Sequence, residues 1–399
     1  MSSYYLQYLP VLAAAALCLV VGAVCFAGSQ RAFERSRKNL SWIKRHGAGG
    51  YPFARNAFPK RAADWLGVFA VAVFALVVSM VVSALRSYFA GVNWLSGLFS
   101  AASLGAIGIA VCAAIAVYFL LQLLFGSTLV SASGALLFAA DYVGAHTAAA
   151  LLAIAVLLLV LWLTAKQERL LPAELLYWAA ALCYCAALSL RPQLLPFCLL
   201  FVGLHLYKHI FYLRRDEERP GIFALALVLA LIVWVLGLAL YLAGQVFVFF
   251  RLTPEFVRSH FAGHPIFAVR LFLRSGLYLV TKPLLRSRVL LPIMDAPLLG
   301  LGGFGAISAL VLYLRRKDPR SILVLLVLFF AVVVWLLSDT SVLSLGLTLT
   351  AALLFSNYER GGKSYPVAIV ATLGVIYYLA LCLGARFIPM VAGILERLP

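Results

Sequence analysis

Twelve long apolar runs follow one another along this chain, at 5–27, 65–85, 101–125, 128–143, 147–165, 174–190, 193–207, 221–247, 297–314, 321–337, 341–356 and 366–385. With 65% of its residues hydrophobic, the chain has too little polar surface to cover a water-soluble core. Each run can cross most or all of a hydrocarbon layer about 30 Å thick. In lipid, backbone N–H and C=O groups have to be satisfied within the spanning segment, so the runs read as helices. The expected fold is all-α, a polytopic membrane protein with about twelve transmembrane helices. Runs 128–143, 193–207 and 341–356 are shorter than a full span and read as tilted hairpin partners or as segments screened from lipid by their neighbours.

Lys and Arg are retained on the cytoplasmic face of a membrane, so their distribution over alternate loops sets the orientation. Loops 28–64 (nine), 166–173 (two), 208–220 (four), 315–320 (four) and 357–365 (two) lie on one face and carry 21 of the 32 basic residues. That face is expected to be cytoplasmic, in a plasma membrane of bacterial type, with both termini outside. The remaining basic residues are Arg86, Arg191, Arg386, Arg397 and seven in the single outer stretch 251–296. The first span has no basic residue ahead of it and a basic block behind it, the reverse of a signal peptide, and reads as a retained helix. The chain thus divides into an N-terminal transmembrane helix (1–27), a basic cytoplasmic segment (28–64) and a multi-span membrane domain (65–399).

The net charge of +18 is mostly this positive-inside bias and gives no indication of nucleic acid. All seven cysteines lie in apolar spans, where they act as small hydrophobes, and no disulfide framework or zinc spacing is present. His260 and His264 are four apart, but no third ligand is fixed beside them, so neither a metal site nor another cofactor is expected. Gly300, Gly302, Gly303 and Gly305 suit close helix packing better than phosphate binding.

Stretch 251–296 differs from the other loops. It opens on Thr253-Pro254-Glu255, a plausible helix start. Aromatic and aliphatic residues then alternate loosely with Arg258, Arg270 and Arg274, and Lys282 follows. This is the composition of an interfacial amphipathic helix with its basic face toward phosphates. Arg270 and Arg274, four apart, project from one helical face and can hold one anion together. Snorkelling to headgroups is the alternative role. Arg191, in Ser189-Leu-Arg191-Pro192-Gln193, stands between two uncharged spans at the outer membrane edge, where a guanidinium can reach a phosphate bidentately while Pro192 turns the chain. Acidic residues on that side are few: Asp141, Glu255, Asp295, Asp339 and Glu396. Asp141, in a turn between two apolar segments, is the first candidate for a base or ligand contact, with ordinary helix-end chemistry as the alternative. Asp295 suits a cap and Asp339 a tight turn.

Three segments carry a resemblance. Residues 101–165 combine a long span ending in Phe125-Gly126-Ser, a short span, a turn bearing Asp141 and another span. Residues 179–200 are a small-residue helix ending in Arg191-Pro192-Gln193, and the final spans are joined by short basic turns. In this order the chain resembles the GT-C type glycosyltransferases, the polytopic group that includes protein O-mannosyltransferases and aminoarabinose transferases. The similarity covers the topology of residues 61–385. It implies a polyprenyl-phosphate sugar donor, with Arg191 at the lipid-phosphate position and donor contacts from Gln193, Arg258, Arg270, Arg274 and Lys282. Members of the group use an acidic residue of the first outer loop as base. Here that loop, Arg86 to Ser100, is short and holds no Asp or Glu, which leaves Asp141, at the position of a second outer-loop acid, as the expected catalytic residue.

Two readings follow. In one, the protein transfers a sugar from a lipid-linked donor by inverting displacement, with Asp141 as base. In the other, it is a non-catalytic relative that binds, presents or transports a lipid-linked substrate. A generic transporter is third, and no protein partner is indicated.

Overall fold

The computed structural model describes residues 16, 19–29, 31, 62–89, 93, 95, 98–141, 147–164, 170–211, 228, 230–232, 234, 235, 296–316, 319–336, 342–360 and 364–387. They form an all-α bundle: α1 (Leu19–Ser29), α2 (Ala62–Phe89), α3 (Ala101–Phe125), α4 (Thr128–Asp141), α5 (Thr147–Thr164), α6 (Leu170–Leu190), a 3-10 turn (Pro192–Leu194), α7 (Phe197–Phe211), α8 (Ala296–Arg316), α9 (Pro319–Leu336), α10 (Leu343–Arg360) and α11 (Tyr365–Phe387). Among the described residues, four stretches are long and apolar enough to cross a membrane, Ala62–Ala84, Ser103–Phe125, Thr147–Thr164 and Pro297–Leu314, and several shorter helices are apolar as well. The protein is an all-α, multi-pass membrane protein.

Local chemistry sets the boundaries. Ser100 caps α3, its Oγ accepting the Ser103 N–H at 3.2 Å. Gly126 ends that helix in the left-handed region (φ 68°) and returns its N–H to Gln122 O at 2.9 Å. Ser127 then caps α4, accepting the Val130 N–H at 3.2 Å, so α3 and α4 form a tight antiparallel pair. Pro192 does not break the chain where the sequence starts its short span at residue 193. The 3-10 turn absorbs it, and α7 begins at Phe197.

Two of the short helices, α4 and α10, are enclosed by their neighbours, whereas α7 exposes Leu199, Leu206 and Tyr207. With 14 residues, α4 is only about 21 Å long. It packs against α2, α3, α10 and α11 and buries Ser131, Ser133 and Gly134 along with its aliphatic residues. At the centre stands α10, buried at every residue from Val342 to Tyr358. Enclosure by protein is why it tolerates Ser344, Thr348, Thr350, Ser356 and Asn357. Thr350 Oγ1 donates to Leu347 O at 3.0 Å, and Asn357 Nδ2 donates to Ser308 Oγ at 2.9 Å. Gly302 and Gly305 let α8 approach α10: a Cβ on Gly302 would lie 2.8 Å from Leu347 O, and one on Gly305 would meet the Thr350 carbonyl. Gly303 has open space around it, so the run of glycines serves packing on one face.

Helix α1 belongs to this bundle. Its buried positions, Gly22, Cys25 and Ser29, share one face. A Cβ on Gly22 would lie 2.7 Å from Gly300 O, and the Phe26 and Phe304 rings are 6.0 Å apart. Gly28 lies against Tyr358, so α1 runs parallel to α8 and α10.

These contacts also sort the helix ends into two groups. Thr128 Oγ1 donates to Asp64 Oδ1, Tyr118 OH donates to Asp64 O at 2.8 Å, and Arg320 Nη1 donates to Leu124 O at 3.0 Å. One end of the bundle therefore gathers the start of α2, the α3–α4 link and the start of α9. At the other end Leu298 N donates to Tyr378 OH at 3.3 Å, and Gly374 lies beside Leu137 and Pro297. The grouping matches the alternation of spans read from the sequence. The first group bears the basic loops and is called the basic end below.

Candidate functional site

Asp141 and Arg191 both fall at the end opposite the basic one. Asp141 is the last residue of α4 and is partly buried. An anion at a helix C-terminus is opposed by the helix macrodipole, so Asp141 draws no stabilisation from the dipole of its own helix. Arg191 is exposed. Its N–H closes α6 on Ala187 O at 3.0 Å, and its carbonyl accepts the Leu194 N–H at 3.1 Å, which forms the 3-10 turn. Gln193 sits on that turn, half-buried, and its Oε1 is enclosed with no hydrogen-bond partner among the described residues.

Helix packing does not bring Asp141 and Arg191 together. Among the described residues, α4 packs on α2, α3, α10 and α11, α6 packs on α5, and extensive contacts link α4 to α6 through α3 and α5. Arg258, Arg270, Arg274 and Lys282 lie outside the described residues, as do His260, His264, Glu255, Asp295, Asp339 and Glu396. Of the shortened loop 86–100, α2 takes the first four residues, since it continues to Phe89.

The turn bearing Arg191 is fastened from beneath. Tyr184, fully buried, points its hydroxyl at Leu194 O (3.0 Å) and Leu195 O (3.2 Å). Its ring stacks on Phe201 of α7, with centroids 4.9 Å apart and planes at 22°, and stands 5.8 Å from the Trp234 ring. Trp234 Nε1 in turn donates to Tyr177 OH at 2.9 Å, and that hydroxyl donates to Phe201 O at 3.3 Å. Tyr177 and Tyr184 are seven apart on one face of α6, a spacing visible in the sequence, but their inward direction is not.

At the basic end the sequence reading missed a buried polar network. Lys208 Nζ donates to Trp162 O at 2.6 Å and lies 4.1 Å from the centre of the Trp162 ring. Trp162 Nε1 donates to Glu174 Oε1 at 2.9 Å. His205 is sandwiched between Trp162, at 5.4 Å and nearly parallel, and Tyr177, at 4.1 Å. Glu174, His205 and Lys208 are all buried. Buried ionisable groups in a membrane bundle are expensive and are kept where they are paired. Here they join the ends of α5, α6 and α7. Asp64 forms a second knot: with Thr128 already donating to Oδ1, Gln122 Nε2 reaches the same oxygen at 3.4 Å, and Ser131 Oγ donates to Gln122 Oε1 at 2.9 Å.

The chain matches no protein-family model, no curated protein and no solved structure, so the resemblance to the GT-C group stands on the quoted residues alone.

Proposed function

We propose that the protein binds a polyprenyl-phosphate-linked sugar at the end of the bundle that carries Arg191, with that end facing outward, and transfers the sugar to an acceptor hydroxyl. The observation that carries this reading is Arg191 itself, an exposed residue at the head of a short turn that is anchored through the buried Leu194. A lipid phosphate at that depth meets a donor fork matched to its oxygens. Gln193 on the same turn, and Arg258, Arg270, Arg274 and Lys282 of the basic stretch, complete the donor contacts. In the reaction, Asp141 takes the acceptor's hydroxyl proton and the oxygen attacks the anomeric carbon from the face opposite the phosphate. Polyprenyl phosphate leaves with its bonding pair, its charge met by the arginines. General-base help of this kind contributes about 10²- to 10⁴-fold.

A second reading is favoured by two observations: the first outer loop has no acidic residue, and α3 and α5 separate the helices of Asp141 and Arg191. On it, the protein holds or presents the lipid-linked substrate without chemistry. Retention of polyprenyl phosphate by the purified protein tests what the two readings share. Arg191→Gln, Arg270→Gln and Arg274→Gln should each weaken it, and Arg214→Gln, in a basic-end loop, should not. Equal losses in all four would mean non-specific attraction to lipid and would overturn both readings. Transfer from a polyprenyl-phosphate sugar then separates the enzyme from the carrier.

A further inference from the structure

We propose that Tyr184 is the positioning residue of the Arg191 turn: its buried hydroxyl holds the backbone that presents the guanidinium to a lipid phosphate. The inference rests on the reading that Arg191 binds that phosphate, and adds the device that keeps it in place.

Three features lead to it. Leu194 is fully buried, so its carbonyl needs a protein donor, and the Tyr184 hydroxyl supplies one at 3.0 Å. Leu195 O, 3.2 Å from the same hydroxyl, already accepts the Cys198 N–H at 3.0 Å, so Leu194 O is the acceptor that depends more on the tyrosine. The Leu194 N–H closes the 3-10 turn on Arg191 O at 3.1 Å, so an anchor at residue 194 is an anchor one hydrogen bond from Arg191.

Tyr184 is itself immobilised. Its ring is stacked on Phe201 and flanked by Trp234, and its helix continues unbroken to Leu190. A rigid ring with two side-chain torsions loses little freedom in making the bond, and a 3-10 turn of three residues has few internal bonds of its own. Without the hydroxyl, the turn would keep its covalent path but lose the contact that fixes its height above α6. Arg191 would then search a wider volume, and each phosphate hydrogen bond would carry that ordering cost.

Tyr184→Phe removes the oxygen and keeps the ring, so stacking and folding are preserved. With the full chain in lipid nanodiscs, the probe is undecaprenyl phosphate, and dissociation constants are measured for the unmodified protein, Tyr184→Phe, Arg191→Gln and the double variant. Tyr184→Phe should weaken binding on the order of two- to tenfold. In the Arg191→Gln background the same change should have almost no further effect, because the tyrosine acts only through Arg191. A merely structural role would leave the two effects multiplying. Phe201→Leu, which removes the stacking partner and keeps the hydroxyl, should lower thermal stability and keep most of the affinity. Independent effects of Tyr184→Phe and Arg191→Gln, or unaltered binding by Tyr184→Phe, would overturn the inference alone. Failure of the unmodified protein to bind, or an Arg191→Gln variant that binds as well, would overturn the phosphate reading and this inference with it.

Discussion

Lys208 of α7 serves as the C-terminal cap of a different helix: its ammonium group donates to the Trp162 main-chain carbonyl of α5 at 2.6 Å while lying over the ring of that same tryptophan. The last four carbonyls of a helix have no partner within it. In α5 the neighbouring Leu161 O is met by Thr164 Oγ1 at 2.9 Å, and Lys208 takes the next one. Arg320 does the same for Leu124 O near the end of α3. Lys208→Met keeps the apolar stem, removes the donor and leaves Glu174 without the cation of its network. It should cost about 1–3 kcal/mol. Lys208→Arg should recover part of that. Thermal unfolding in detergent reads both, and equal stability of Lys208→Met and the unmodified protein would contradict the capping role.

The α8–α10 contact makes a sharper steric prediction. Gly305→Ala places a methyl group against the Thr350 main chain, which cannot move aside as a flexible side chain could. A cost of roughly 1–3 kcal/mol is expected, the usual range for overpacking. Gly303→Ala, two residues away and facing open space, should be close to neutral. Both glycines lie on one helix, where Ala is the better helix former by about 1 kcal/mol, so a similar loss in both would show that close approach to α10 does not set the outcome.

Several span boundaries were legible because lipid imposes a length and a composition on each crossing: α3 ends at Phe125 and α5 starts at Thr147, both as read from the apolar runs. What the sequence does not reveal is direction around each helix. Lys208 and Arg320 read as loop charges that mark the cytoplasmic side, but both are buried caps, because long basic side chains reach inward as readily as outward. Asp64 read as the last residue of the basic cytoplasmic segment and is a buried first-turn residue of α2 tied to Gln122 and Thr128. At the candidate site the sequence singled out Arg191 and Gln193 by their charge and their neighbouring proline. Tyr184 stayed hidden, since a tyrosine in an apolar run carries no sign of where its hydroxyl lands.

The basic-residue bias predicts that the start of α2 and the α3–α4 link are inside. In a variant with all native cysteines replaced, Ser3→Cys should react with a membrane-impermeant maleimide applied to intact cells, and Ser41→Cys should react only after permeabilisation. The two buried caps remove Lys208 and Arg320 from the solvated count without reversing its sign. Modification of residue 41 and not residue 3 would invert the assignment and put Arg191 on the cytoplasmic side.

The transfer reaction makes its strongest claim at Asp141. No acid is present between Arg86 and Ser100, and the sequence around Asp295 and Asp339 suits a cap and a tight turn. Asp141 ends a helix whose dipole opposes a negative side chain there, so the dipole is not what favours an acid at this position. Asp141→Asn keeps the size of the side chain and much of its hydrogen bonding, and removes the proton acceptor. It should abolish transfer from a polyprenyl-phosphate sugar, a fall of about 10²-fold or more. Affinity for the lipid should stay near that of the unmodified protein, since α3 and α5 stand between its helix and that of Arg191. Full transfer activity in Asp141→Asn would remove the base from the mechanism. Absence of transfer by the unmodified protein, with retention of the lipid still dependent on Arg191, would assign the chain to lipid binding without chemistry.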